Sequence, residues 1–219
     1  DKYEGVFARL KKNDSRISLM EEKLRNDLEK IEDGDYILLR RKSSRTIPVF
    51  CLYGFYKEDA KIIEQSSNII RLKLVPSPKM YHEFLNGIDS EQENKTAWTL
   101  FFSLGHLQNN IQNALDDEHV NYKFTKVKYD LFDENEFFIE PTNDYSELAH
   151  KAKRLSYQKE IRWILPDIHQ KTKYILSYSP LEKESIGCHE GMSNFQFEVM
   201  AHPKEKVSIE SCYNRWKYE

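Results

Sequence analysis

The sequence predicts an α+β fold, a single domain spanning residues 1–219 with a mostly antiparallel, twisted sheet and three or four helices packed on it. Three observations carry this expectation. Apolar runs of strand length recur along most of the chain, several with a period of two. Helical stripes are scattered among them, and several connections are short enough for hairpins. No Pro/Gly/Ser-rich linker and no repeat of 20–50 residues divides the chain.

The elements follow in order. Ile17, Met20, Leu24, Leu28 and Ile31 form one helical stripe, so a helix is expected over 16–33. Ser18 and Glu21 have capping-box spacing, with Asp14 or Ser15 as an earlier start. Gly34 is its expected stop, and Glu21 and Arg25 its expected surface pair. Tyr36–Leu39 begins a strand that runs into a basic turn. Ile47–Phe55 is nearly all apolar and reads as a strand buried on both faces, with Pro48 near its start. Ile70, Leu72 and Leu74 alternate with Arg71 and Lys73 in a half-buried strand. A short helix over 79–86 and a strand from Trp98 to Leu104 come next. Leu107, Ile111, Ala114 and Leu115 place a helix at 106–117. Val120, Tyr122 and Phe124 alternate, then parity changes at Val127 and Tyr129, which predicts a bulge. Short strands are expected at Phe137–Ile139, Ile161–Leu165, Tyr174–Tyr178, Phe195–Val199 and Val207–Ile209, with a helix from Asp144 to Leu155.

Composition narrows the class. Of 219 residues, 13% are aromatic, too many for a disordered chain. Seven glycines argue against glycine-loop phosphate cradles. With 33 basic and 36 acidic side chains the formal charge is −3, so no global field draws nucleic acid. Three cysteines (Cys51, Cys188, Cys212) make no disulfide framework and point to a cytoplasmic protein. No run of 18 apolar residues predicts a membrane span. The chain starts at Asp1 without Met, so a truncated N-terminus is expected.

The most distinctive segment is Tyr157-Gln158-Lys159-Glu160-Ile161-Arg162-Trp163. On a strand, Glu160 and Arg162 share one face, opposite Ile161 and Trp163. That pair reads as an ion-pair network beneath a helix or, less favoured, as a carboxylate and a cation in a ligand cleft. Two basic groups are candidates for phosphate or partner contact: Arg40, Arg41, Lys42 and Arg45, and Lys151 with Arg154 beside Lys153. A solvated charged face is the plainer meaning of both. Cys188-His189-Glu190, expected in a loop over 187–194, with His202 and Cys212 downstream, fits no zinc spacing, so no metal is expected. His106 at a strand-to-helix junction reads as a capping or surface histidine rather than an anion donor.

Four segments in this order resemble a large bacterial and phage family of unknown function that overlaps abortive-infection proteins. They are Asp1-Lys2-Tyr3-Glu4-Gly5, Pro48-Val49-Phe50-Cys51-Leu52-Tyr53, Lys126-Val127-Lys128-Tyr129, and Tyr157-Gln158-Lys159-Glu160-Ile161-Arg162, where the family has Phe at the position of Ile161. The resemblance implies a phage or mobile-element protein acting in host–phage conflict. It would bind another macromolecule, a protein first and nucleic acid second, without a cofactor and away from membranes. The abundance of Tyr (13) and Phe (12) fits interface anchoring. The family is also similar in organisation to ADP-ribosyltransferase-like folds, which implies an alternative. Glu160 would then be a catalytic carboxylate acting on NAD, with Tyr157 and Arg162 beside it.

Overall fold

The computed structural model describes residues 3–54, 59–66, 69–74, 79, 98–102, 104–131, 135–169, 174–179, 186–190 and 195–200. In chain order the strands are β1 (Val6–Lys11), β2 (Leu28–Asp33), β3 (Tyr36–Arg41), β4 (Val49–Tyr53), β5 (Ala60–Gln65), β6 (Ile69–Leu74) and β7 (Trp98–Phe102). They continue with β8 (Lys123–Lys126), β9 (Lys128–Leu131), β10 (Phe137–Phe138), β11 (His150–Ala152), β12 (Glu160–Ile164), β13 (Ile186–Glu190) and β14 (Phe195–Met200). Among the described residues two α-helices have both ends defined, α1 (Ser15–Leu24) and α2 (Leu104–Asp117). This is an α+β structure, and among the described residues its strand pairs are antiparallel except for β9–β11. Its pairing is distributed over several small sheets. Two compact units emerge, residues 1–53 with 115–177 and residues 54–114 with 178–219.

In the first unit, β10-β1-β3-β2 form an antiparallel sheet buried on both faces at its centre. Phe7, Ala8, Leu10, Ile37 and Leu39 pack with Ile17 and Met20 of α1. Tyr3, Val6 and Leu38 pack with Leu131, Ala152 and Leu155. The register of β1 shifts between Val6 and Ala8, which sets neighbouring Phe7 and Ala8 in the same cluster. A second sheet, β4-β12-β8, carries β12 at its centre, and the parallel pair β9–β11 lies in the same unit. In the second unit, β13 pairs with β7, and β14-β6-β5 form a three-stranded sheet.

Several expectations need correction. The helix expected over 16–33 ends at Leu24, because Arg25 takes a left-handed φ of 43°. A 3-10 turn, Arg25–Asp27, then leads into β2, which is hydrogen-bonded to β3 from Leu28 to Asp33. Leu28 and Ile31 extend the helical stripe by coincidence of spacing. The true N-cap is Asp14, whose carboxylate accepts the Arg16 N–H at 2.9 Å. Gly34 is a hairpin residue, at φ 63° between β2 and β3. Glu21 pairs with Lys30 across to β2.

The helix expected from Asp144 to Leu155 is replaced by 3-10 turns at Ser146–Ala149 and Lys153–Gln158 with β11 between them. Short 3-10 turns repeat every three residues and so imitate the start of a helical stripe. The parity change near Val127 marks a change of sheet: β8 pairs with β12, whereas β9 pairs with β11. β4 is paired with β12 alone among the described residues and is not buried on both faces, since Phe50 is 48% exposed. Residues 174–179 form no strand. Their alternation predicts a face without supplying a partner strand. Cys188-His189-Glu190 lie on β13 rather than in a loop. The helix at 106–117 is present as α2, with Leu107, Ile111, Ala114 and Leu115 buried. Apart from Lys79, the helix expected over 79–86 lies outside the described residues, as do the strand at 207–209, His202 and Cys212.

Candidate functional site

The alternation of β12 places Glu160, Arg162 and Ile164 on one face and Ile161 and Trp163 on the other. On the second face Trp163 is flanked by Phe50 and Phe124, at ring-centroid separations of 5.7 and 4.3 Å. Lys159, at φ 42°, turns the chain out of the 3-10 segment into β12. The backbone N–H of Glu160 then donates to the Tyr129 hydroxyl at 2.9 Å.

Three segments converge on the Glu160–Arg162 face. The turn Tyr3–Gly5 brings Glu4, the 3-10 turn at 146–149 brings the Leu148 carbonyl, and β11 brings Lys151. The first segment is held by its sequence. Tyr3 and Val6 are fully buried on either side of Glu4. Gly5 adopts φ 68°, and a Cβ there would lie 2.9 Å from Ser44 Oγ, so only glycine fits without strain.

Glu160 Oε2 accepts from Arg162 Nε at 2.8 Å and lies 2.7 Å from Nη2, while its Oε1 accepts from Lys151 Nζ. Arg162 Nη1 donates to Glu4 Oε1 at 2.6 Å and to the Leu148 carbonyl. Its Nη2 reaches Glu4 Oε2 at 3.4 Å. Lys151 Nζ also donates to Gln158 Oε1 at 3.0 Å and lies 3.8 Å from Glu4 Oε2. Two anions and two cations therefore balance, and every donor nitrogen of Arg162 has an internal acceptor.

The electrostatics follow from that balance. Burial works to raise the Glu160 carboxyl, but Arg162 and Lys151 overcome it and hold it below its ordinary value. Burial likewise opposes the charge on Arg162, and its bonds to Glu4 and attraction to Glu160 reverse this and raise its pKa. Cys51 on β4 is the register partner of Arg162 on β12 and is exposed as a residue, yet desolvation of its thiol pushes it up to about 11. A thiol with that value is protonated at neutral pH and is a poor nucleophile.

The expected site residues thus divide. Glu160, Arg162 and Lys151 come together. Tyr157 is half-buried and packs against the core cluster around Tyr3, Leu131 and Leu155. The basic run of the first candidate group does not form one patch. Arg40 donates to Glu29 at 2.8 Å, and Arg45 reaches the other oxygen of Glu29 at 2.7 Å. Lys42 donates to the Asn26 carbonyl at 2.8 Å. Arg41 points into the interior, to Glu147 at 2.7 Å and over the Tyr145 ring at 3.8 Å. Arg154 is exposed, as is His106 in the first turn of α2. Glu4 was missed as a site residue. Its signal was the Glu-Gly pair of the first motif, read for family resemblance alone.

Among the described residues no three His, Cys, Asp or Glu side chains group as a metal site, and no helix is long and apolar enough to cross a membrane. Comparison of the chain with protein-family models, curated proteins and solved structures gives no match.

Proposed function

We propose that this chain is a non-catalytic binding protein of a phage or mobile element, which acts in host–phage conflict by docking on another protein. One observation carries the non-catalytic part. The most distinctive motif of the sequence is engaged internally, with both oxygens of Glu160 and all nitrogens of Arg162 paired inside the fold. A glutamate that orients a ribose needs a free oxygen facing a cleft, and Glu160 has neither oxygen free. The exposed Phe50, on a strand paired along one edge among the described residues, supports a docking role. The host–phage setting rests on the family resemblance.

The alternative, an ADP-ribosyltransferase-like effector using NAD, retains one supporting observation: Glu160 stands at the start of a strand beside a cation. Incubation with labelled NAD and host lysate separates the two readings. No label transfer is expected from the wild-type chain. Transfer that disappears in Glu160→Gln would overturn the binding reading in favour of the enzyme.

A further inference from the structure

We propose that Arg162 and Lys151 form a carboxylate seat that Glu4 fills as an internal ligand in the free protein, and that an acidic group of a protein partner takes by exchange. The inference rests on the binding reading for the source of that carboxylate; the seat itself stands on the geometry.

The four charges of the cluster are not equivalent. The side chains of Arg162 and Lys151 are 3% and 9% exposed, and Glu160 is 13% exposed. Glu4 is 39% exposed and forms the solvent end of the network. It has one tight contact, 2.6 Å to Arg162 Nη1, while its second oxygen stands at 3.4 Å from Nη2 and 3.8 Å from Lys151. Glu160 is held by both cations, one from its own strand and one from β11. If Glu4 turned outward, two buried cations would face one buried anion, and an uncompensated buried charge is costly. The vacancy would be single-positive, planar and open to solvent, which matches a carboxylate in front of an arginine fork. A dianionic phosphate would overfill the charge beside Glu160.

The backbone around Glu4 need not move for this exchange. Tyr3 and Val6 are fully buried, and the Glu4 carbonyl accepts from Arg40 Nη1 at 3.3 Å. Rotation about the side-chain bonds of a part-exposed residue is enough, and such rotations are fast.

The test uses the full chain as wild type, Glu4→Ala and Glu4→Gln. Thermal unfolding is followed in acetate, inorganic phosphate and chloride at equal ionic strength. Glu4→Ala is expected to gain stability saturably in acetate, and less in phosphate. Glu4→Gln, which removes the charged competitor at nearly constant shape, is expected to respond at about tenfold lower acetate than wild type. Should Glu4→Ala fail to fold in every salt, Glu4→Gln decides. The seat is overturned if the folded variants respond to acetate as to chloride. A phosphate response equal to or stronger than acetate overturns the carboxylate assignment. A negative result here leaves the binding reading to the NAD-transfer experiment, which does not involve the seat.

Discussion

Two buried arginine–carboxylate clusters lie in the same unit and resolve opposite electrostatic problems. In one, Glu160 is shared by Arg162 and Lys151. In the other, Glu147 is 0% exposed and meets Arg41 through one oxygen, while its Oε2 is buried with no hydrogen-bond partner among the described residues. Burial raises both carboxyl groups. For Glu160 two cations win, and it falls below the ordinary value. For Glu147 burial wins over Arg41, with Asp144 adding to the rise, and it ends above that value. Direct contact with an arginine therefore does not decide a buried carboxylate's titration. Here two cations are set against the desolvation of Glu160, and one cation with an opposing carboxylate against that of Glu147.

The strongest test of this contrast removes each arginine. Arg162→Met leaves Glu4 and Glu160 with Lys151 as their only cation from the cluster, and is expected to cost about 3–5 kcal/mol of stability in denaturant unfolding. Arg41→Met removes the cation bonded to Glu147, whose carboxyl burial has already raised above its ordinary value, and is expected to cost less, about 1–3 kcal/mol. Equal losses would erase the distinction.

The turn that delivers Glu4 comes next. Gly5→Ala forces a Cβ toward Ser44 and a side chain into a left-handed backbone, with an expected loss of about 1–2 kcal/mol. Because Glu4 shifts with the turn, this variant should also weaken the acid-dependent stability of the Glu160 cluster. Arg41 and Glu147 should keep theirs. Urea melts at two pH values read both effects.

pH separates the clusters more finely. Glu160 is depressed below its ordinary 4.5, so its contribution is present above that pH and is lost as pH falls through the depressed value. Glu147 is raised above 4.5, so its contribution is present below that pH and is lost as pH rises through the raised value. Stability–pH curves should then change in opposite senses: Glu160→Gln flattens the acid limb, and Glu147→Gln flattens the decline above pH 4.5. Each slope is bounded by about 1.4 kcal/mol per pH unit, the limit for one proton. Changes of the same sense in both variants would refute the comparison.

A surface pair supplies the smallest effect. Asp14 caps α1 and is held at about 2 by its hydrogen bonds to Arg16. Asp14→Ala should cost about 1 kcal/mol through the lost cap. Arg16→Met should cost less than loss of the cap, because exposed ion pairs contribute little. Thermal melts of both variants distinguish cap from pair.

Much of the site was legible in the chain. Alternation alone placed Glu160 and Arg162 on one face and Trp163 on the other, since side-chain direction in a strand is local geometry. The ion-pair reading of the motif was likewise within reach. Its cover was not: a 3-10 turn, β11 and the turn at Glu4 stand where a helix was expected. Glu4 lies 158 positions from Arg162, and no periodicity links residues so far apart. The helix boundary at Leu24 was missed for a related reason. Leu28 and Ile31 fit a helical stripe and a strand equally, and the hydrogen bonds of β2 to β3 chose the strand.

Local pattern by itself determined the α+β class, the helix at 106–117 and the side-chain faces of the strand around Glu160, because each depends on neighbours a few residues away. Tertiary structure alone decided which cations meet which carboxylates, that Arg41 is interior while Arg45 is not, and that one buried glutamate is pushed down and the other up. Those outcomes depend on desolvation and on charges brought together from distant segments, and both exist only once the chain has folded.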